Sequence, residues 1–202
     1  MDTVYLVDDD AAVCKALSRV LRGEGWAVET FASAEAFLAR PGRPLQGCLV
    51  LDVSLPGLDG LELQQRLSET GPVLPIVFLT GHGDIPMTVR ALKAGAADFL
   101  TKPVAAESLL AAVRAALAQA ASARHTQAED GVWAQRLATL SAREREVLAA
   151  VARGRLNKQI AADLGIVEQT VKFHRARIME RMQASTVAEL MHMAARLGIV
   201  AD

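Results

Sequence analysis

Along the first 120 residues, short apolar runs alternate with segments of helical period. Val4-Tyr5-Leu6-Val7, Leu49-Val50-Leu51 and Ile76-Val77-Phe78-Leu79 are too short for helices and lie between polar or turn residues. Such runs read as buried strands of a parallel sheet. Trp26 to Phe31 alternates as a further strand, and Asp98-Phe99-Leu100-Thr101 is a last short one. Between them, Val13, Leu17, Val20 and Leu21 mark a helix over 11–22, capped by Asp10 and ended by Gly23 and Gly25. Ser33 opens a short helix to about Ala39, and the Pro-Gly-Arg-Pro run at 41–44 reads as a loop. Leu61, Leu63 and Leu67 mark a helix over 58–69, broken at Gly71-Pro72. Pro86 suits the first turn of a helix that runs to Lys93, with Gly95 as its cap, and a final helix starts near Ala105. Strands alternating with helices predict a five-stranded parallel sheet covered on both faces, since crossovers are right-handed. The expected class is α/β, doubly wound and flavodoxin-like, in strand order 2-1-3-4-5.

The pattern then changes. An Ala-rich run, Leu109 to about Arg124, extends the last helix, and the polar HTQAEDG at 125–131 breaks the period, predicting a flexible or partly helical joint. Ser141 with Glu144 three residues later is a capping box before Val147, Leu148 and Val151, with Gly154 at the end. Asn157 is placed to cap a second helix containing Ile160, Ala161 and Leu164, closed by Gly165. A third helix is predicted over Glu168 to about Met182 and a fourth over Thr186 to Leu197. Two short helices joined at a glycine, the second one basic, have the layout of a helix-turn-helix. The division is therefore 1–120 as an α/β domain, 121–136 as a helical or flexible linker, and 137–202 as a small all-α four-helix domain.

Charge sharpens this division. The 202-residue chain has a formal net charge of −1, but residues 1–121 carry 10 Lys+Arg against 14 Asp+Glu, and residues 122–202 carry 12 against 9. An acidic front with a basic back suits two tasks, the second directed at a polyanion. Lys172, Arg175, Arg177 and Arg181 crowd the third helix of the back half with cations. No apolar stretch approaches the roughly 18 residues of a membrane span. The start, MDTVYLVDDD, lacks the basic region of a signal peptide. Cys14 and Cys48 are too few for a disulfide framework and have no partner at metal-ligand spacing, so both read as buried small hydrophobes in a reducing cytoplasm.

The strand ends carry the chemistry. Asp8 and Asp9 end the first strand, Asp52 the third and Thr80 the fourth, and Lys102 follows the fifth. In the expected order these ends meet at the switch point between strands 1 and 3, where open α/β sheets bind ligands. Clustered carboxylates suit a hard cation such as Mg2+. A cation and an ammonium together neutralise an arriving phosphoryl group, a carboxylate can attack its phosphorus, and the Thr80 hydroxyl can donate to one of its oxygens. His82, in the loop after the fourth strand, reads as a solvated histidine.

With these residues in place, the stretch over about 3–120 resembles the response-regulator receiver family, and TGHGDIPMTVRALKAGAADFLTKP is similar to its FixJ-type members. The resemblance implies Asp52 as the phosphoacceptor, with Asp9, Asp52 and the backbone carbonyl of Ser54 as Mg2+ ligands and Asp8 acting through metal-bound water. It also implies Thr80 and Phe99 as a switch pair, Lys102 as phosphate partner, and a cis Lys102-Pro103 bond. LSAREREVLAAVARGRLNKQIAADLGIVEQTVKFHRARIMERM, within about 137–198, resembles the LuxR-type helix-turn-helix domain. That resemblance makes 168–182 the recognition helix. Glu168, Gln169, Lys172, Phe173 and Arg175 are then candidates for groove contacts, and Lys158, Thr170, His174 and Arg177 for the DNA backbone. Where that family usually has a serine before the helix, this chain has Val167, which removes a cap that stabilises by about 1 kcal/mol.

Together these features imply a cytoplasmic two-component transcription regulator that is not itself an enzyme. A cognate histidine kinase would phosphorylate Asp52, and the phosphorylated chain, as a homodimer or with its DNA-binding domain released, would bind promoter DNA and act on RNA polymerase. Two rivals come from other classes. A phosphatase built on the same aspartate chemistry commonly has a second acid two residues after the nucleophile, where this chain has Ser54. The second rival is a constitutive DNA-binding protein with an inert front domain.

Overall fold

The computed structural model describes residues 2–40, 45–70, 74–81 and 85–199. The 41–44 loop, the Gly71-Pro72 break and His82 lie outside the described residues. The chain forms two compact units, Met1–Ala123 and Arg124–Asp202.

In the first unit, β1 (Thr3–Val7), β2 (Ala27–Phe31), β3 (Gly47–Asp52), β4 (Ile76–Thr80) and β5 (Asp98–Thr101) form one parallel sheet in the order β2-β1-β3-β4-β5. Its helices are α1 (Ala11–Gly23), α2 (Ala34–Leu38), α3 (Gly60–Thr70), α4 (Ile85–Lys93) and the first part of α5 (Ala106–Ala138). The unbroken apolar runs are explained by burial on both faces. Tyr5, Val7, Leu49, Leu51 and Phe78 pack with Phe37 of α2 and Leu63 of α3. Their neighbours in sequence, Val4, Leu6, Val50, Val77 and Leu79, pack on the opposite face with Leu17 and Leu21 of α1 and Leu109 and Val113 of α5. Period-two strands thus feed two separate cores. Asp10 caps α1 by accepting from the N–H groups of Ala12 and Val13, and Ser33 caps α2 by accepting from Ala36 N–H. Gly60 admits α3 against the end of β3, because a Cβ there would lie inside contact distance of the Asp52 carbonyl.

The second unit contains the remainder of α5, then α6 (Ala142–Ala152), α7 (Asn157–Leu164), α8 (Glu168–Met182) and α9 (Val187–Arg196). Val147, Leu148, Ile160, Val171, Ile178 and Met193 form its core. The capping box is formed: Glu144 N–H donates to Ser141 Oγ and Ser141 N–H to Glu144 Oε2.

Three expectations need correction. The 125–131 segment does not interrupt the helix, and α5 continues through Gly131. A glycine costs a helix interior about 1 kcal/mol, but this segment is anchored on α9. Arg196 donates to the Thr126 carbonyl and Glu129 and pairs with Asp130, and its guanidinium lies 4.7 Å from the Trp133 ring centre. Asn157 is not the cap of α7. Leu156 occupies the cap position, its N–H bonded to Gln159 Oε1, while Asn157 accepts from Arg175. Cys14 is only half-buried, with its thiol directed at the Asp8 carbonyl, whereas Cys48 is buried.

Candidate functional site

The parallel register brings the C-terminal ends of β1, β3 and β4 to one edge of the sheet, and β5 places Lys102 just beyond its own end. Asp52, the last residue of β3, is 5% exposed, and Asp8, just after β1, is 1% exposed. The Lys102 ammonium lies 2.7 Å from Asp52 Oδ2 and 2.7 Å from Asp8 Oδ2, so one cation bridges both carboxylates. Each carboxylate is oriented through its other oxygen: Ser54 N–H donates to Asp52 Oδ1 and Asp10 N–H to Asp8 Oδ1. Lys102 is itself positioned by its backbone, whose N–H donates to the Thr80 carbonyl at 2.7 Å, next to a cis Lys102-Pro103 bond. Thr80 is fully buried at the end of β4.

Asp9 completes the acidic group from the exposed side, and the carboxylate oxygens of Asp8, Asp9 and Asp52 lie within 4.8 Å of one another. Three carboxylates against one ammonium leave a surplus of negative charge. Burial raises the Asp8 pKa, outweighing the Lys102 ammonium and the Asp10 N–H, which both lower it. Burial works against the Lys102 ammonium, but its bonds to Asp52 and Asp8 and their charge prevail and raise its pKa. A partly buried set of hard oxygen donors with surplus negative charge fits Mg2+. Phe99 lies opposite Phe78 in the β4–β5 register, half-buried, with ring centres 6.1 Å apart.

In the second unit, α8 divides the sequence-derived candidates. Glu168, Gln169, Lys172, Phe173 and Arg177 are exposed, as is Lys158 on α7. Thr170, His174 and Arg175 are half-buried, and Arg175 gives one nitrogen to Asn157 Oδ1. Arg181, one of the four cations that crowd this helix, stays exposed along its stem while its guanidinium donates to buried Glu144 at 2.9 Å and to the Thr139 carbonyl. Glu144 had a sequence signal only as a capping residue. Its second role, tying α6 to α8, depends on a pairing 37 residues apart that spacing does not reveal. Val167 caps α8 without a side-chain bond, and the first turn is closed by Val171 N–H on the Val167 carbonyl.

Residues 4–114 match the family described as "Response regulator receiver domain", and residues 138–194 match "Bacterial regulatory proteins, luxR family". The chain is 47% identical over 194 residues to the response regulator protein TodT of Pseudomonas putida, covering 96% of this chain and 86% of TodT. It is 44% identical over 197 residues to the transcriptional regulatory protein FixJ of Azorhizobium caulinodans, covering 97% and 93%. Among solved structures, the response regulator StyR superposes with a TM-score of 0.78 at 45% identity, covering 96% of this chain and 98% of StyR. Full-length FixJ from B. japonicum superposes with a TM-score of 0.59 at 41% identity, covering 99% and 98%.

Proposed function

The chain belongs to the response-regulator family with a LuxR-type DNA-binding domain, a transcriptional regulator of a two-component system, and from that premise we propose that phosphorylation of Asp52 is its switch. The observation that carries this reading is the single Lys102 ammonium held 2.7 Å from both buried carboxylates, Asp8 and Asp52. A histidine kinase presents a phosphohistidine. An Asp52 carboxylate oxygen attacks the phosphorus, the O–P bond forms as the P–N bond breaks, and the imidazole leaves with the electron pair and takes up a proton. Ser54 N–H keeps the carboxylate oriented for the attack. Lys102 shifts from pairing with Asp52 to pairing with the phosphoryl oxygens, and the Thr80 hydroxyl donates to another of them. Asp8, Asp9 and Asp52, with the Ser54 carbonyl, would hold Mg2+, which when bound neutralises phosphoryl charge.

As Thr80 is drawn toward the phosphoryl group, Phe99 fills the space beside it, and the surface around α4 and β5 changes shape. That surface then supports a homodimer or frees the second unit, and α8 reaches promoter DNA in the cytoplasm to act on RNA polymerase. The protein takes its phosphoryl group from the kinase and is not an enzyme in its own right. In this reading 1–120 takes the phosphoryl group, 137–202 binds DNA, and the helical 121–136 joins them, its later part packed with the second unit.

The test is sedimentation and DNA binding of the full chain in Mg2+, with and without beryllofluoride or a small-molecule phosphodonor, beside Asp52→Asn. The wild type shifts from monomer to dimer or gains DNA affinity, and Asp52→Asn does neither. A normal phosphodonor response from Asp52→Asn would falsify the assignment. DNA binding indifferent to the donor in both proteins favours the constitutive rival.

A further inference from the structure

One residue on the exposed side of α8 is not explained by charge. Phe173 is 55% exposed, although the opposite side of the same helix closes the core with Val171, Ile178 and Met182. Its surroundings on the exposed side are polar or small: Gln169 one turn before, Lys172 beside it, Ala176 and Arg177 one turn after. The ring is nevertheless held in place. The Arg177 guanidinium carbon lies 4.9 Å from its centre, and the His174 ring meets it edge-on at 5.9 Å. A guanidinium over an aromatic face is attracted by the ring quadrupole, which restricts both side chains. The helix therefore presents a positioned apolar surface with a cation stacked beside it, in the middle of a polar face.

The major groove of B-DNA is lined by donors and acceptors, and its apolar feature is the 5-methyl group of thymine. Phosphate contacts position a protein, while base contacts specify the sequence. We propose that Phe173 and Arg177 form one reading unit: the Phe173 ring packs on the 5-methyl group of a thymine, and Arg177, held by that ring, binds the adjoining phosphate. This rests on α8 being the groove helix and names the chemical group that it reads. Burial of the ring in a protein interface would be indifferent to thymine methyls. Insertion as a wedge between base steps belongs to minor-groove binders.

The probe is a random-sequence duplex library, from which the full-length wild type, in Mg2+ and beryllofluoride, selects its sites. Each thymine of a selected duplex is then replaced by deoxyuridine, which removes the methyl and leaves the pairing edge unchanged. At the thymine under Phe173 the replacement weakens wild-type binding by about fourfold, the effect expected for one buried methyl-sized group. The same replacement leaves Phe173→Ala binding unchanged, and Phe173→Leu, which keeps an apolar contact, retains part of the sensitivity. Arg177→Gln weakens thymine and deoxyuridine duplexes alike and lowers the salt slope by about one. Phe173 is exposed, and thermal melting confirms that the variants are folded. Selected sites insensitive to every methyl, or equally sensitive in Phe173→Ala, overturn the pair as a thymine reader while leaving α8 as the groove helix. A wild type that selects no sequence overturns both.

Discussion

The Lys102 ammonium and the Asp52 carboxylate meet at 2.7 Å, and the same nitrogen is 2.7 Å from Asp8, so one side chain pairs with two buried acids at the ends of different strands. Lys102→Ala removes that shared cation and leaves the two carboxylates with only their backbone N–H partners. Hydrogen bonds to charged groups contribute about 2 kcal/mol, and a loss of that order is expected in the chemical denaturation of the first unit. A divalent cation no longer competes with the ammonium, so Mg2+ affinity rises in the variant. Adding Asp8→Asn restores part of the stability, because one buried charge is gone. Titration calorimetry with Mg2+ and urea melts of the single and double variants check both effects, and unchanged Mg2+ affinity in Lys102→Ala contradicts the bridge.

Gly60 lies where α3 approaches the Asp52 carbonyl too closely for a Cβ. The clash is with backbone, so it cannot be relieved by a rotamer change. Gly60→Ala is expected to destabilise the first unit by about 1–3 kcal/mol, in the range for overpacking, and to slow Asp52 phosphorylation by displacing the end of β3. Gly23→Ala is the control, since a Cβ at Gly23 meets nothing within 4 Å. Comparable melting temperatures for the two variants would count against the close approach.

Glu144 is held below the ordinary glutamate value of 4.5, chiefly by the Ser141 N–H and further by Ser141 Oγ and Arg181, with burial opposing. A carboxyl group whose pKa is depressed by folding binds fewer protons in the native state. Its stabilising contribution is therefore complete above 4.5 and is lost as the pH falls through the lower native value. The second unit should lose stability on acidification in that window, and Glu144→Gln should flatten the dependence. Thermal melts of the wild type and the variant between neutral and acidic pH measure it, and parallel curves would exclude Glu144 as the cause.

Val167 has the extended backbone of a helix cap, φ −83 and ψ 152, but no side-chain acceptor for the first-turn N–H groups of α8. Val167→Ser supplies one without altering the core, since Val167 is 67% exposed. The gain expected is about 1 kcal/mol, read as a raised denaturation midpoint of the second unit. A lowered midpoint would mean that the exposed valine makes a contact worth more than the cap.

The sites divide into those visible to local rules and those that were not. Asp10, Ser33 and Ser141 were legible as caps, because a cap needs only a polar side chain and the N–H groups two or three residues ahead. Asn157 satisfied the same rule and does not cap, because Arg175 from another helix takes its oxygen. The break expected at 125–131 failed for a similar reason. Gly131 and its polar neighbours look like a joint in isolation, but Arg196 and Trp133 fasten that stretch to α9.

Residue order alone was enough for the class of fold and the polar residues at the strand ends, since periodicity is a local property and parallel crossovers have one hand, and the strand order came with the flavodoxin-like type assigned to that pattern. It was also enough to separate an acidic α/β half from a basic helical half. Which charges face solvent and which are used internally was settled by packing in three dimensions. Lys102 bridges Asp8 and Asp52, Arg181 pairs with buried Glu144, and Phe173 is left outside with Arg177 stacked on it. Each of these depends on distances between residues far apart in the chain or on the face a helix turns outward, and those follow from how the cores close rather than from any local pattern.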